Sequence, residues 1–371
     1  MINSYRYKID PVDVLPFMKE DTYCRPCTTV AMTICGRMTC NTLSPIAIIL
    51  FVCWLVICDA LVQQIPPRFL HVTPPSREEL YPPLILLGGI AQTKSSWDHH
   101  IPSLARNRMV IVYECLGQGD HAIPSDGDAS LPSQARKLLE TLHETLVDNT
   151  KENDPIFVDI AGFSFGGRVA MASACLQNER DRSDNCIWIR RLHLTGVGCD
   201  RSDYGHMAMQ SFPDLIRHDT SLRSFAWSIL LATYSPGYLR SLPETTLQRF
   251  LDHIASSNNP EGLLAILEQA EVKDTKDPYH VTSMAERLDE LLRSQSNQMN
   301  TIGKLCVGEM DTMAPVVDVS RLQQEAEWII NDVDVLVDSG HAVVLEKPRA
   351  WRESVLSFLD DDDSVGGKDL E

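Results

Sequence analysis

The pentapeptide Gly162-Phe163-Ser164-Phe165-Gly166 stands between an apolar run, Ile156 to Ile160, and a stretch with helical character, Arg168 to Leu176. It is a G-x-S-x-G pattern at a point where a strand turns sharply into a helix. The flanking glycines are needed there because a Cβ atom would collide with the neighbouring strand and helix. The turn exposes the serine oxygen beside a helix N-terminus, where backbone N–H groups can stabilise negative charge. The pattern predicts a nucleophilic Ser164, provided that the chain also supplies a base, an acid and oxyanion donors.

The segments around the pentapeptide alternate between short apolar strands and helices, which indicates a parallel sheet covered on both faces. The predicted strands are Leu84–Leu87, Met109–Tyr113, Ile156–Ile160, Ile187–Thr195, Lys304–Val307 and Val333–Val337. The predicted helices are Ser95–Arg106, Leu131–Thr150, Gly167–Leu176, Val316–Ile330 and Pro348–Leu359.

One interval breaks this alternation. From Arg201 to about Asn300 the sequence shows only helical patterns rich in Leu, Phe, Trp and Tyr. A helical segment inserted after a sheet strand is typical of a lid over the active-site edge. Within it, Trp227 is a candidate substrate contact, although the packing of helices explains such aromatic residues equally well.

Functional groups in an open α/β sheet gather at the carboxyl ends of the strands. Asp311 follows the predicted strand Lys304–Val307, and His341 follows the predicted strand Val333–Val337. The chain order is therefore serine, aspartate, histidine, which is the order of one serine hydrolase architecture. Serine needs a base to remove its proton, and the histidine needs a carboxylate to fix its tautomer. We expect Ser164, Asp311 and His341 to form a catalytic triad, with Asp200 as the competing acid.

The oxyanion donors should come from the loop after the first strand of this set, which reads Gly88-Gly89-Ile90-Ala91-Gln92. Paired glycines allow the backbone to come close to the reacting atoms. The amides of Ile90 and Phe165 are therefore the candidate oxyanion donors, and Gly89 is a candidate substrate contact.

With these residues the chain resembles the α/β-hydrolase superfamily over about residues 80–360. The matching motifs are GFSFG at the nucleophile, GEMD at the acid and SGH at the histidine. Two loops depart from the usual pattern: Gly88 stands where the family usually has a histidine, and ECLGQGD stands where it often has Asp-x-x-Gly-x-Gly. The resemblance implies an α/β-hydrolase fold, a mostly parallel sheet flanked by helices with an inserted helical lid.

Within the superfamily, GFSFGGRVAM is similar to the corresponding motif of 2-succinyl-6-hydroxy-2,4-cyclohexadiene-1-carboxylate synthase, a menaquinone-pathway enzyme. That resemblance implies a role for Arg168 in holding a carboxylated substrate, although a packing role for this arginine is equally compatible with the sequence. Two chemistries share the site: hydrolysis of an ester or thioester, and proton removal that drives elimination of pyruvate. A ligand receptor without catalysis is a third alternative.

Composition limits the partners. The net charge of −18 argues against nucleic acid and anionic membrane surfaces, so a small-molecule substrate is expected. The motif Cys24-Arg25-Pro26-Cys27 has no second ligand pair, so we expect no metal, and no motif calls for a cofactor. The widely spaced cysteines of the body, Cys115, Cys175, Cys186, Cys199 and Cys306, are expected to be buried free thiols.

The N-terminal part contains an apolar run of 13 residues, Ile46 to Cys58. This length fits the core of a signal peptide better than a membrane-spanning helix of about 20 residues. We consider three interpretations. The run is the core of a cleaved leader into the secretory pathway or an organelle such as a plastid, a retained anchor over residues 46–62, or a buried core helix; the last is the weakest because no polar residues interrupt the run at helical spacing. The predicted division is a leader or anchor at 1–62, a Pro-rich linker at 63–83, a core at 84–200 and 301–360, a lid at 201–300, and an acidic disordered tail at 361–371.

Overall fold

The computed structural model describes residues 67–146, 155–177, 187–294 and 300–361. These residues contain a seven-stranded sheet in the order β1-β3-β2-β4-β5-β6-β7. Strand β1 is antiparallel to β3, and every other neighbouring pair is parallel. The strands are β1 (Leu70–Thr73), β2 (Leu84–Leu87), β3 (Val110–Tyr113), β4 (Ile156–Phe163), β5 (Ile187–Thr195), β6 (Ile302–Gly308) and β7 (Asp334–Leu336).

The central strands are apolar on both sides because helices cover both faces of the sheet. All four residues of β2 are fully buried. Ile85 and Leu87 pack into one hydrophobic cluster, whereas Leu84 and Leu86 pack into another. This alternation is the period of two that a strand imposes on its side chains. The predicted α/β-hydrolase fold, a mostly parallel sheet flanked by helices, is confirmed.

The helices of the core lie on both sides of this sheet. They are α1 (Ile101–Leu104), α2 (Leu131–Leu146), α3 (Phe165–Gln177), α10 (Val316–Glu325), α11 (Val343–Glu346) and α12 (Pro348–Leu359). Helices α2 and α3 contribute to the first cluster, and α1, α11 and α12 contribute to the second.

Between β5 and β6 the regular structure of the described residues is entirely helical. It consists of α4 (Asp203–His218), α5 (Arg223–Thr233), α6 (Pro236–Ser241), α7 (Glu244–Ser257), α8 (Pro260–Gln269) and α9 (Val281–Ser294). We call residues 203–294 the helical insertion. Helices α4 to α8 contribute to two further hydrophobic clusters, to which residues of the core also contribute, whereas α9 packs into the first cluster together with α2 and α3.

The structure differs from the sequence-based expectations at three places. The Pro-rich segment expected as a linker contains β1, which pairs with β3. The helix expected over Ser95–Arg106 is a 3₁₀ turn, Lys94–Trp97, followed by the short helix α1, which begins at Ile101 and has Pro102 in its first turn. The helix expected over Val316–Ile330 ends at Glu325, because Ala326 is extended and Ile329 forms a parallel bridge with Gly303 of β6.

Two other expectations fall at the termini. The leader or anchor at residues 1–62, and all of the tail at residues 361–371 except Asp361, lie outside the described residues. Within the part of the chain that the structure describes, no helix is long and apolar enough to cross a membrane.

Candidate active site

The serine of the pentapeptide lies between the end of β4 and the start of α3. Its φ of 52° is in the left-handed region, which side chains rarely adopt. Its N–H donates to the carbonyl of Thr195 at 2.7 Å, which ties the turn to β5. A Cβ atom on Gly162 would lie 2.6 Å from the Cα of Gly167, and one on Gly166 would lie 2.5 Å from the carbonyl oxygen of Leu87. Glycine is therefore required at both flanking positions, as the sequence pattern predicts.

Ser164, His341 and Asp311 form a continuous hydrogen-bonded line. The Ser164 hydroxyl lies 2.8 Å from Nε2 of His341, and Nδ1 of His341 lies 2.7 Å from Oδ2 of Asp311. The other carboxylate oxygen accepts hydrogen bonds from the amides of Met313 and Ala314, each at 2.8 Å. Since the carboxylate accepts at Nδ1, that nitrogen carries the proton and Nε2 can accept the proton of the serine.

The competing acid, Asp200, lies elsewhere. Its carboxylate accepts from the amide of Arg201 at 2.7 Å and lies 3.0 Å from Nε2 of His206. It lines the same cavity as Ser164 but is more than half exposed. The carboxylate that pairs with His341 is therefore that of Asp311.

The two expected oxyanion donors, Ile90 and Phe165, both line the cavity that contains Ser164. Phe165 is the first residue of α3, so its N–H is one of the amides that have no partner within the helix. Ile90 lies in the loop after β2. Gly89 brings this loop close, since a Cβ atom on it would lie 3.4 Å from the Cβ of Ser164.

The cavity beside Ser164 has a volume of about 310 Å³. This lies at the lower end of the range of small-molecule sites, about 300–1,000 Å³. The charged groups on its wall comprise three cationic side chains and two carboxylates: Arg168, Arg201, Lys273, Asp200 and Glu271. The nearest pair across this wall joins Arg201 and Glu271, at 3.8 Å.

Arg168 is the deepest of these cations. It lies one helical turn after Ser164 on α3 and is only 7% exposed. Burial lowers the pKa of Arg168 to about 9, with a smaller contribution from Arg201, so it remains a cation at neutral pH. Among the described residues, none provides a hydrogen-bond partner for its Nε. This donor is buried, so leaving it without a partner is energetically costly.

Trp227, expected as a substrate contact, does not line the cavity. It lies on α5, whose buried residues include Phe225, Ala226, Ile229 and Leu230. Trp227 lies on the opposite side of this helix and is 36% exposed. The expectation was wrong because helical packing decides which aromatic residues of the insertion point inward.

Several polar residues of the cavity were not singled out from the sequence. Arg201 comes soon after the carboxyl end of β5, so the rule that located Asp311 and His341 could have found it. Glu271 and His280 lie in the connection between α8 and α9, far from any strand, and no sequence signal marks them. The pKa of His280 is lowered, mainly by burial and then by Arg168.

The structure provides observations on metal ligands and cysteines only for the residues that it describes. No group of three metal-ligating side chains occurs among the described residues. The four described body cysteines, Cys115, Cys175, Cys199 and Cys306, are buried free thiols. Cys186 and the Cys24–Cys27 pair lie outside the described residues.

Residues 84–353 match the model of the alpha/beta hydrolase family. No curated protein sequence is significantly similar to the chain. Several solved structures share its fold at low sequence identity. The enol-lactonase from Burkholderia xenovorans LB400 is 17% identical with a TM-score of 0.60, over 79% of this chain and 96% of that one.

Two further structures give the same result. MGS-M2, an alpha/beta hydrolase enzyme from a Medee basin deep-sea metagenome library, is 16% identical with a TM-score of 0.61, over 82% of this chain and 96% of that one. MenH from S. aureus is 16% identical with a TM-score of 0.58, over 79% of this chain and 98% of that one. At these identities the likeness shows the fold.

Proposed function

The chain belongs to the alpha/beta hydrolase family, and we propose that it is a serine-dependent hydrolase of a small carboxylated ester, thioester or related acyl compound. The observation that carries the proposal is the line of Ser164, His341 and Asp311 opening onto a cavity whose wall includes the buried cation of Arg168. The first part supports the chemistry, and the second supports the class of substrate.

The proposed reaction proceeds in two halves. His341 takes the proton of Ser164 while the serine oxygen attacks the carbonyl carbon, and Asp311 stabilises the imidazolium that forms. The amides of Phe165 and Ile90 stabilise the oxyanion, and His341 then protonates the departing alcohol or thiol. A water molecule, deprotonated by His341, releases the acid from the acyl-enzyme and restores Ser164.

The charged wall supports an anionic substrate. Arg168 and Arg201 both line the cavity that contains Ser164, and Arg201 lies 3.8 Å from Glu271. A substrate carboxylate that contacts the Arg168 guanidinium would form a charge-assisted hydrogen bond with it, contributing about 1.5–3 kcal/mol. The cavity volume of about 310 Å³ favours a small substrate.

A lyase is the second candidate, favoured by the presence of two arginines in one cavity. A substrate with more than one carboxylate could use both. In that reaction the Ser164–His341 pair removes a proton, the amides stabilise an enolate, and pyruvate leaves. The test is pyruvate release from the menaquinone-pathway intermediate that carries it.

Labelling with a fluorophosphonate probe tests the nucleophile. We expect labelling of the wild-type protein and none of Ser164→Ala. The role of the acid is tested with matched carboxylates: Asp311→Asn should lower kcat by about 10³–10⁴-fold, whereas Asp200→Asn should change it little, because only Asp311 contacts His341. Absence of wild-type labelling at high probe concentration would favour a ligand receptor without catalysis.

The substrate class is tested with two esters of similar length, p-nitrophenyl hexanoate and mono-p-nitrophenyl adipate. The adipate ester carries a free carboxylate, and the hexanoate ester does not. We expect the wild-type enzyme to prefer the adipate ester by about 10-fold or more in kcat/KM, the lower end of what a charged hydrogen bond contributes. Arg168→Gln should lose this preference while keeping activity on the hexanoate ester.

A further inference from the structure

Ala91, the residue after the expected oxyanion donor Ile90, has an unusual backbone. Its φ of 66° lies in the left-handed region, which an alanine rarely adopts. It is also buried, with 4% of its surface exposed. A buried residue in this conformation persists only when the surrounding structure holds it there.

Two side chains bind the backbone of Ala91, one from each side. Oε1 of Gln118 accepts its N–H at 2.5 Å, and Nδ2 of Asn258 donates to its carbonyl oxygen at 3.1 Å. Gln118 belongs to the core loop after β3. Asn258, in contrast, is the C-cap residue of α7 and so belongs to the helical insertion.

Asn258 is itself bound by both parts of the protein. Its Nδ2 also donates to the carbonyl of Ile254 at 3.1 Å, and its Oδ1 accepts from the amide of Gly119 at 3.4 Å. These contacts use a donor and an acceptor on the same short side chain. Asparagine supplies both, whereas an aspartate would place a negative oxygen against the carbonyl of Ala91.

We propose that Asn258 is a positioning residue: it fixes the backbone of residues 88–92 so that the amide of Ile90 points at the oxygen of the reacting carbonyl. The inference rests on the proposed function for its catalytic meaning. In this proposal the helical insertion does more than cover the cavity: through Asn258 it also completes the oxyanion hole.

The adjacent residue provides a matched control. Asn259 is the N-cap of α8 and accepts from the amides of Glu261 and Gly262, at 2.8 and 3.4 Å. No contact joins it to residues 88–92 among the hydrogen bonds of the described residues. Asn259→Ala therefore perturbs the same part of the insertion without releasing Ala91.

The kinetic test compares Asn258→Ala, Asn258→Asp and Asn259→Ala with p-nitrophenyl hexanoate. Deleting an oxyanion donor lowers kcat by about 10²–10³-fold, so loosening one should lower it by about 10–100-fold. We expect this loss in Asn258→Ala, a larger one in Asn258→Asp, and KM within about 2-fold. Asn259→Ala should retain kcat within about 2-fold.

A trifluoromethyl ketone distinguishes a positioning role from general destabilisation. Such a compound forms a tetrahedral adduct with serine, so its affinity depends on the oxyanion hole. Its Ki should rise in Asn258→Ala by about the factor by which kcat/KM falls. An unchanged Ki, or an equal loss of kcat in Asn258→Ala and Asn259→Ala, would overturn the proposal.

Hydrogen exchange separates this inference from the proposed function. The peptide covering residues 88–97 should exchange faster in Asn258→Ala than in the wild-type protein, and at the wild-type rate in Asn259→Ala. The expected difference in exchange rate does not depend on whether the protein hydrolyses esters. Absence of Ser164-dependent turnover would therefore refute the hydrolase proposal, whereas unchanged exchange in Asn258→Ala would refute the positioning role.

Discussion

Gly196, directly after β5, provides a test of how closely the geometry of the candidate site is set. Its φ is +64°, and a Cβ atom on it would lie 2.8 Å from Cε1 and 3.0 Å from Nδ1 of His341. Ordinary contacts of a Cβ atom begin at 3.4 Å, so Gly196→Ala must displace the ring by about 0.6 Å, the difference between 3.4 and 2.8 Å. The imidazole ring of His341 is buried and hydrogen-bonded at both nitrogens, to Asp311 and Ser164, so it cannot rotate away without losing these contacts.

The expected loss of activity follows from this displacement. A misplacement of about 1 Å of a catalytic group can cost about 10²-fold in rate, so about 0.6 Å should cost about 10-fold or more. The substitution also places an alanine at positive φ, which costs about 1–2 kcal/mol of stability. We therefore expect Gly196→Ala to remain folded at 25 °C and to lose at least about 10-fold in kcat.

Gly127 supplies the control for backbone strain. Its φ is +76°, yet no atom lies within 4 Å of the position where its Cβ would be. Gly127→Ala should therefore carry the same strain without touching His341. The assay is kcat for p-nitrophenyl hexanoate with urea unfolding of each variant. If Gly196→Ala and Gly127→Ala retained equal kcat, the argument that Gly196 sets the position of His341 would be refuted.

Two further predictions concern Arg168 and Glu346. Burial lowers the pKa of Arg168 to about 9, so its positive charge is present below pH 9 and is lost as the pH rises above it. The preference of the enzyme for mono-p-nitrophenyl adipate over the hexanoate ester, measured as a ratio of kcat/KM values, should therefore fall as the pH rises through about 9. Arg168→Gln should show no such change with pH. The buried Glu346 carboxylate accepts hydrogen bonds from the amide and hydroxyl of Ser235 and from the amide of Gly340. Glu346→Ala removes the acceptor of all three and should lower the free energy of unfolding by about 3–5 kcal/mol. Glu346→Gln keeps one acceptor oxygen and should lower it by only about 1 kcal/mol. Equal losses in urea unfolding for the two Glu346 variants would contradict that account.

The sequence predicts the parallel strands of the sheet's central part and the grouping of Ser164, His341 and Asp311 at one edge of it. Parallel strands end at the same edge, so a residue that directly follows a strand is placed by that strand alone. The motif then marks which of the strand ends carries the nucleophile. The same reasoning cannot by itself separate Asp311 from Asp200, because both residues follow strands; the contact of Asp311 with His341 distinguishes them in the structure.

The same reasoning fails where placement depends on packing between distant segments. Strand β1 lies among prolines and pairs only through its antiparallel contact with β3, so its own sequence carries little signal. Trp227 and the inward-facing residues of α5 differ only in which side of the helix meets the core. Glu271 and His280 reach the cavity from a loop of the insertion, and Asn258 reaches Ala91 across 167 positions of the chain.

The helical insertion contacts the surroundings of the candidate site at two places, so a change in the insertion also affects the candidate catalytic residues. At one place Asn258 binds Ala91 beside the oxyanion loop, and at the other Glu346 joins Ser235 of the insertion to Gly340, the neighbour of His341. Substitutions that reshape the insertion to admit a different substrate would therefore also move the groups that carry out the chemistry. We expect changes of specificity to be tolerated on the cavity wall, at Arg201, Lys273 and Glu271, because the side chains of these residues line the cavity and, among the hydrogen bonds of the described residues, do not bind the backbone beside the candidate catalytic residues. Changes at Asn258 and Ser235 should be costly, because these residues hold that backbone directly or through Glu346.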